Sequence, residues 1–417
     1  GSRIFYRNKH RAERAVPGRK PGVFISENPT GTSRHTLGGA VLIFTRAEID
    51  VLRLSAWCKD LPADGAEILP GETVRLLLAL GLLRQSRCGF SYRPTPAGYS
   101  LLRQAGFAYA ADKQYRGAGP ALTRRLGTAS VVSFLWRYGA DVFRASPGAE
   151  SGVPAFLPSF ALRRKAGANV LGGTRMTGFL YTENTAFVPY YVTPESKGLY
   201  ADVEQRTFRS ESLLCGRTPF VLYTGAGKLE QVLETVTAPR HRKGKSTTDT
   251  YLDALDKFGC PVGILPLTED GLRQLRIMSV PGYRQKLIRQ LLGKDYQPPV
   301  NRQSDGRNKS SGENFFIGID CHIMRFLTCI PVGEEKPAHI IVLADQANAV
   351  QKYLAGQNAV LHPIAPEIAE QILGIPQSLP ELDGQPFQTT EGSFLHAPSF
   401  GQTPKPGGQS GSCLDSG

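Results

Sequence analysis

The chain has 417 residues, of which 41% are hydrophobic, and carries 49 Lys and Arg against 36 Asp and Glu, a formal net charge of +13. This length can bury two or three hydrophobic cores, and no apolar run is long enough to cross a membrane, so a membrane partner is not expected. The seven cysteines are scattered without a C-x-x-C pair or a paired Cys/His spacing. That pattern argues against a zinc site and a disulfide framework and predicts a reducing, cytoplasmic location.

Positive charge is concentrated in two segments. Residues 1–20 carry seven basic residues and one acidic residue, and residues 100–175 carry eleven basic and three acidic residues. The remainder is close to neutral. Such placement suits a polyanion, because each phosphate that a cation neutralises releases counterions. The alternative is that these charges serve solubility alone.

Residues 1–41 are basic at first and then rich in Gly, Ser, Thr and Pro, a composition that predicts a flexible arm. Residues 42–110 have the most informative pattern of the chain. Thr45 can cap a first helix, residues 61–69 allow a second short helix, and Pro70 suits the first turn of a third.

A β-hairpin and a closing helix are predicted after the third helix. Residues 82–86 and 90–95 flank the turn Arg87-Cys88-Gly89, and Thr95 opens the next helix. The string LLALGLL…YRPTPAGYSLL resembles winged-helix domains, in which a Leu-Gly-Leu helix end is followed by a wing and a Thr-x-x-Gly helix start. The resemblance implies a winged helix over residues 42–110.

A winged helix that binds DNA presents polar side chains from the start of its third helix to the base edges. Glu72, Thr73 and Arg75 are the candidates at that place, and Thr73 and Arg75 are the predicted DNA contacts among them. In the predicted wing, Arg84, Arg87 and Arg93 can contact phosphates. The alternative is that these arginines are ordinary solvated charges and that the module serves dimerisation or docking.

Residues 111–294 are predicted as a helix followed by a mixed α/β core. The helix is predicted over 115–144, with Arg124 and Arg125 on its polar face, and strand-like runs then alternate with helices. The stretch FALRRK adds three candidate DNA contacts, which are Arg163, Arg164 and Lys165.

The last part of the chain changes in composition twice. Residues 295–313 are predicted as a polar linker, residues 314–375 as a small α/β segment with a strand at 326–330, and residues 376–417 as a disordered tail rich in Gly, Pro, Ser and Gln. The alternating strands and helices indicate an α+β or α/β fold. The linker is either an insertion in one domain or the boundary between two.

Two common catalytic motifs are absent from the sequence. Gly225-Ala226-Gly227-Lys228 lies between a predicted strand and a predicted helix, as a phosphate-binding loop does. Leu229 stands where a P-loop has the Ser or Thr that binds Mg²⁺. No G-x-S-x-G nucleophile elbow is present either. The sequence therefore argues against a P-loop nucleotide site and against serine hydrolase chemistry.

The order of a winged helix, a basic helix, a β-hairpin, a helix and a further strand resembles the replication-relaxation proteins of bacterial mobile elements. The stretches FLPSFALRRK and NVLGGTRMTGFLYTENTAFVPYYV are also similar to proteins of conjugative elements. The resemblance implies a restriction-endonuclease-like core, which binds Mg²⁺ through an acid on one strand and an acid-x-lysine on the next. The predicted strands carry no acid. The nearest candidates lie in predicted turns and are Glu183, Glu195 and Lys197.

These patterns predict a non-catalytic DNA-binding protein of a mobile genetic element, acting in replication, mobilisation or regulation. Its expected partners are double-stranded DNA and mobilisation or replication proteins, and no cofactor is expected. Two alternatives stay open. One is a Mg²⁺-dependent DNA nickase or relaxase that uses the three turn residues, and the other is a protein-interaction scaffold. The sequence leaves the oligomeric state open.

Overall fold

A computed structural model describes the chain from residue 43 to residue 395, apart from several internal segments, and the predicted basic arm at residues 1–41 lies outside it. The described residues are 43–63, 68–86, 89–109, 119–144, 146, 153–166, 171, 173–196, 199, 203–205, 210–242, 245–252, 259–299, 304–330, 336–378, 384–389, 393 and 395.

Residues 43–109, called the N-terminal module below, contain three helices and a small antiparallel sheet with the strand order β1-β3-β2. The elements in chain order are α1 (Arg46–Cys58), β1 (Leu61–Pro62), α2 (Gly71–Ala79), β2 (Leu83–Gln85), β3 (Ser91–Pro94) and α3 (Pro96–Gln104). The prediction of a helix within residues 61–69 is wrong for Leu61 and Pro62, because these two residues form β1, which pairs with β3. Residues 64–67 lie outside the described part.

Capping interactions determine where these helices begin. The Thr45 hydroxyl accepts from the Glu48 N–H at 3.3 Å, and the Glu48 carboxylate accepts from the Thr45 N–H at 2.7 Å, which together form a capping box. Thr95 caps α3 by accepting from the Gly98 N–H at 3.2 Å. A Cβ at Gly98 would stand 2.3 Å from the carbonyl oxygen of Leu82. The Thr-x-x-Gly start of α3 therefore has a steric reason as well as a capping one.

A helix and a five-stranded mixed sheet, called the first sheet below, follow the N-terminal module. The strand order is β10-β7-β6-β5-β4, with β4, β5 and β6 antiparallel and with β6, β7 and β10 parallel. The strands are almost entirely buried, as is typical when helices cover both faces. The elements are α4 (Pro120–Arg137), β4 (Ala155–Pro158), α5 (Ser159–Ala166), β5 (Gly178–Tyr181), β6 (Thr185–Tyr191), α6 (Glu211–Leu214), β7 (Thr218–Gly225), α7 (Leu229–Thr237), β8 (Arg240–Arg242), β9 (Lys245–Asp249), β10 (Val262–Pro266) and α8 (Glu269–Ser279).

A second five-stranded sheet has the strand order β11-β12-β13-β14-β15, with antiparallel pairing from β11 to β13 and parallel pairing from β13 to β15. Its elements are α9 (Tyr283–Leu292), β11 (Tyr296–Gln297), β12 (Gly306–Asn308), β13 (Asn314–Ile317), α10 (Ile323–Cys329), β14 (Ala338–Leu343), α11 (Ala347–Leu354), β15 (Ala359–Ile364) and α12 (Pro366–Leu373).

Two sequence predictions are wrong in this region. Residues 295–313 are not a linker, because they contain β11 and β12 of the second sheet. The side chains of these two short strands remain partly exposed, so their sequence shows no hydrophobic alternation. Residues 326–330 are not a strand, because most of them belong to α10. A short apolar run does not distinguish a buried helix from a buried strand.

The two sheets are joined by hydrogen bonds in the core. The Ile264 N–H of β10 donates to the Asp320 carbonyl at 2.8 Å, and the buried Gln274 amide donates to the carbonyls of Ile264 and Ile319 at 2.8 and 2.7 Å. Residues 314–375 are thus not a separate domain but part of one compact unit, Val41–Gly417. The protein has a mixed α+β fold. Within the described ranges, no helix is long and apolar enough to cross a bilayer.

Asp60, directly before β1, connects the N-terminal module to α4. Its carboxylate is 1% exposed and accepts from Ser91 at 2.9 Å, from Arg93 at 2.6 Å and from the Nε of Arg125 at 3.0 Å. Ser91 and Arg93 lie on β3, whereas Arg125 lies on α4, which also packs against β4 and β6. One buried carboxylate therefore holds the N-terminal module against the helix that covers the first sheet.

Part of the predicted disordered tail packs on the N-terminal module, so the prediction for residues 376–417 is wrong there. The Phe44 N–H donates to the Leu395 carbonyl at 3.1 Å, and the Phe387 N–H donates to the Phe44 carbonyl at 2.7 Å. Phe387 and Leu395 are both 5% exposed. Composition failed here because two apolar side chains are enough to anchor a polar segment. Residues 396–417 lie outside the described part.

Substitution Asp60→Asn is expected to destabilise the protein by about 3 kcal/mol, because two arginines lose their buried counter-charge. Urea unfolding followed by the fluorescence of Trp57 on α1 and Trp136 on α4 measures the change at this junction. The matched control is Glu72→Gln, whose pair with Arg75 spans 3.9 Å between side chains that are 96% and 76% exposed. The control should unfold like the wild type. Equal effects of the two substitutions would refute the role of Asp60.

Substitution Phe387→Ala is expected to cost about 3 kcal/mol, because a buried ring that lies 6.1 Å from the ring of Phe107 is lost. The same urea unfolding experiment measures it. Phe90→Ala is the control, since Phe90 is 59% exposed in the same module. An unchanged midpoint for Phe387→Ala would mean that residues 384–395 add nothing to the stability of the module.

Candidate functional site

A cleft with two adjoining recesses lies on the described surface. An inner recess of about 460 Å³ and an outer recess of about 750 Å³ share a common wall. The residues that line both recesses are Gly119, Thr123, Tyr191, Thr193 and Glu195. Gly119 and Thr123 belong to the start of α4, and the other three follow one another at the end of β6 and in the turn after it.

The cleft lies at the carboxyl ends of the parallel strands. Thr193 follows β6, Ala226 and Gly227 follow β7, and Leu267 follows β10, and all four line the outer recess. In open α/β sheets this edge is where ligands bind, because the strand ends leave a crevice and the loops carry polar groups. The fold therefore favours this cleft as the functional site.

The N-terminal module forms the opposite wall of the outer recess. Pro62 from β1, Ile68 and Phe90 line it, and Phe90 lies in the turn between β2 and β3. Phe90 is 59% exposed, the most exposed large hydrophobic side chain in the described part of the chain. The β2–β3 hairpin thus borders the cleft directly.

Tyr191 is held against α4 by close packing. A Cβ at Gly127 of α4 would stand 2.3 Å from the Tyr191 ring, so glycine is required at that position for the ring to lie on the helix. The ring is half-buried and belongs to the wall common to both recesses. This contact keeps the end of β6 and the start of the cleft in a fixed position relative to α4.

The inner recess has a buried acid beneath it. The Tyr190 hydroxyl donates to the Glu204 carboxylate at 2.7 Å, and the Arg175 N–H donates to its other oxygen at 3.0 Å. Glu204 is 1% exposed. Burial raises the pKa of Glu204 above its usual range, while both hydrogen bonds lower it. Burial, followed by the charge of Glu204, raises the pKa of Tyr190 far above its usual value, so Tyr190 remains a neutral hydroxyl at physiological pH.

The inner recess carries more positive than negative charge. Arg124 and Arg175 line it, against a single lining carboxylate, Glu195. Arg163 lies beside the segment that carries Arg175, since one of its terminal nitrogens donates to the carbonyl of Thr174, the residue before Arg175, at 3.3 Å. Burial and then the charge of Arg124 lower the pKa of Arg163, which indicates that two like charges lie near each other.

The structure separates the predicted DNA contacts of the N-terminal module into different environments. Arg75 and Arg84 are exposed, and Thr73 is half-buried on α2. Arg84 lies directly opposite Arg93 across β2 and β3, so the two side chains are on the same face of the small sheet. Arg93 also holds Asp60, as described above. Arg87 lies outside the described residues.

The remaining predicted DNA contacts lie on α4 and α5. Arg124 is exposed at the inner recess, whereas Arg125 on the adjacent position of α4 binds Asp60. Arg163 is half-buried beside Arg124. Arg164 and Lys165 belong to α5, and their side chains lie outside the described part. The structure therefore brings Arg124 and Arg163 together and gives Arg93 and Arg125 a structural partner.

The candidate metal ligands are not brought together. Glu183 lies in the turn before β6 and Glu195 in the turn after it, so the seven residues of β6 separate them by about 20 Å. No single Mg²⁺ can bind both carboxylates, and the site that combined them is wrong. Lys197 lies outside the described residues. Within the described ranges, no group of three His, Cys, Asp or Glu residues could hold a metal ion.

Sequence reasoning missed the polar centre of the inner recess. Tyr190, Arg175 and Glu204 are distant in sequence and meet only because β6 and the segments around residues 175 and 204 pack together. The one available signal was a tyrosine pair at the end of a buried strand. No protein-family model, curated protein or solved structure matches the chain.

Substitution Glu204→Gln is expected to remove a pH-dependent loss of stability. A carboxyl whose pKa is raised in the folded state binds its proton more tightly there than in the unfolded chain. The free energy of unfolding therefore falls as the pH rises from the usual glutamate value of 4.5 toward the raised one. Urea unfolding between pH 4 and 7.5 should show the wild type losing stability relative to Glu204→Gln as pH rises.

The control for this experiment is Glu183→Gln, which changes an exposed glutamate in the hairpin turn. It should follow the wild type at every pH. A difference between wild type and Glu204→Gln that is constant across the range would contradict the assigned burial of an ionised Glu204.

Proposed function

We propose that this protein binds double-stranded DNA without catalysing a reaction on it, and that residues 43–109 are a winged-helix module. The observation that carries the proposal is the element order α1-β1-α2-β2-β3-α3 with the antiparallel strand order β1-β3-β2. Winged-helix modules have this order, and the β2–β3 hairpin would be the wing. A fold does not determine a function, so the proposal also depends on the charges beside the wing.

The charges near the wing favour a phosphate backbone as partner. Arg84 and Arg93 are directly opposed across the hairpin, an arrangement that destabilises a sheet unless an anion lies nearby. Asp60 compensates Arg93, and Arg84 is exposed. Arg124 adds a further exposed guanidinium at the cleft that the hairpin borders. A duplex lying over the wing could therefore contact Arg84 and Arg124 through its phosphates.

The composition of α2 favours backbone contacts over base reading. A recognition helix needs several polar side chains that reach base edges. Only Thr73 and Arg75 are of that kind here, and Arg75 is paired with Glu72. Of the leucines that follow, Leu77 is fully buried in the core, and Leu76 and Leu78 are partly buried. We infer that the protein recognises DNA mainly through its phosphates, with weak dependence on sequence.

The first sheet supports a restriction-endonuclease-like core as part of the proposal. The strands β4, β5 and β6 form an antiparallel meander, and β7 then pairs in parallel with β6. The separation of Glu183 from Glu195 argues against a working metal site, so Mg²⁺ is not proposed as a cofactor. The resemblance in element order extends the proposal to a protein of a bacterial mobile genetic element, working beside mobilisation or replication proteins.

Fluorescence anisotropy with a random duplex at several salt concentrations tests the proposal. The logarithm of the affinity should fall linearly with the logarithm of the salt concentration. Substitutions Arg84→Ala and Arg124→Ala should each weaken binding and reduce the magnitude of the slope by about 0.9, the value for one phosphate contact. Substitution Lys286→Ala is the charge-matched control, because Lys286 is exposed on α9 and lines neither recess.

Three results would overturn parts of the proposal. No binding at low salt would leave the N-terminal module as a protein-docking unit, with the exposed Phe90 as the first contact to examine. Equal losses for Arg84→Ala and Lys286→Ala would mean that binding does not involve the wing. Cut DNA in the presence of Mg²⁺ would establish the nickase instead.

A further inference from the structure

The inner recess has two kinds of polar group. The arginines are called its mouth below, and the Tyr190 hydroxyl is called its floor. Arg124 and Arg175 line the recess together with Glu195, and Tyr190 lies over the buried Glu204. A volume of about 460 Å³ is at the lower end of the range for small-molecule sites. The recess is thus large enough for one nucleotide and too small for a duplex.

The mouth of the recess is suited to a phosphate. In the described part of the chain, the Arg124 guanidinium forms no hydrogen bond and no ion pair, and it lies near Arg163. Among the residues that line the recess, two arginines stand against one carboxylate, Glu195. Arginine binds phosphate oxygens with paired N–H donors, so a phosphate would relieve the repulsion between Arg124 and Arg163.

The hydroxyl groups of the lining threonines are already engaged. Thr128 donates to the Arg124 carbonyl at 3.0 Å, and Thr177 donates to the Pro189 carbonyl at 2.9 Å. Thr193 and Ser196 bond to each other at 3.0 Å. Because Thr128 and Thr177 have already given their protons, they cannot donate to a phosphate, which leaves the arginines as its donors.

The floor of the recess is suited to a hydrogen-bond donor. The Tyr190 hydroxyl gives its proton to Glu204, so its oxygen keeps lone pairs that can accept from a ligand. The rings of Tyr191 and Tyr251 belong to the walls, beside Val192 and Leu199. Flat aromatic walls with an acceptor at the floor fit a nucleobase, which has a π-face and N–H groups on its edge.

We propose that the inner recess binds one nucleoside monophosphate unit, with its phosphate on Arg124 and Arg175 and its base directed toward Tyr190. The inference deepens the proposed DNA-binding function and rests on it for one of two sources. The unit is either a free nucleotide or an unpaired nucleotide of a DNA strand held by the N-terminal module. The outer recess, which is continuous with the inner one and borders the β2–β3 hairpin, supplies the path for such a strand.

Calorimetric titration of the whole protein with dAMP, deoxyribose 5-phosphate and inorganic phosphate tests the recess itself. The wild type should bind dAMP at least tenfold more tightly than deoxyribose 5-phosphate. Tyr190→Phe should abolish that difference, and Arg124→Ala should weaken both ligands at least tenfold. Arg124 is exposed, so its variant remains informative if the Tyr190→Phe variant fails to fold. Lys286→Ala should match the wild type.

A second arm distinguishes the two sources. Duplexes that carry 2-aminopurine in a 3′ overhang, at a mismatch or in a fully paired position report on unstacking of the base. Increased fluorescence with the overhang or the mismatch, reduced by Arg124→Ala, would identify a DNA strand as the source. Binding of dAMP without any fluorescence change would identify a free nucleotide.

Two outcomes overturn the inference. One is that dAMP binds no better than deoxyribose 5-phosphate and no 2-aminopurine signal changes. The other is that Arg124→Ala leaves the affinity for dAMP unaltered. Failure of the DNA-binding proposal appears differently, as the absence of duplex anisotropy with retained dAMP binding. Arg84→Ala, which should weaken duplex binding while leaving dAMP binding intact, separates the two failures.

Discussion

The buried ion pairs of Asp60 are the interaction on which the arrangement of the cleft depends. The carboxylate is shared by Arg93 on the small sheet and Arg125 on α4, so the N-terminal module and the helix that covers the first sheet meet at one group. Removing two arginines and an aspartate from water is costly, and only close pairing offsets it. The distance between the β2–β3 hairpin and the strand ends, and hence the width of the outer recess, follows from this contact.

Aromatic contacts add apolar area at the same junction. The Arg53 guanidinium of α1 lies 4.1 Å from the ring centre of Phe107 and 3.6 Å from that of Phe143, and the Trp57 ring packs edge-on against Phe160 of α5 at 5.4 Å. The contacts with Phe143 and Phe160 run from the N-terminal module to segments that follow α4. The wall of the cleft that carries Phe90 is therefore fixed to the first sheet and does not form an independent lobe.

Local signals predicted the local structure well. The caps at Thr45 and Thr95 and the hairpin that precedes Thr95 are encoded within a few residues, and the structure has them. The errors occurred where tertiary packing decides. Strands β11 and β12 carry no hydrophobic alternation because they lie at an exposed sheet edge. The candidate site was only partly predictable, since Arg124 belongs to a visibly basic helix whereas the Tyr190–Glu204 pair exists only after folding.

The packing of Phe387 and Leu395 on Phe44 has a consequence for the folding of the protein. Phe44 starts the N-terminal module, yet its backbone partners Phe387 and Leu395 lie more than 300 residues later in the chain. The N-terminal module is therefore synthesised well before the residues that complete its hydrogen bonds at Phe44. Contacts this distant in sequence form slowly, because a long loop must close before they stabilise anything. The module is thus completed late in folding, and a chain that stops short of residue 387 would expose the apolar surface around Phe44 and Phe107.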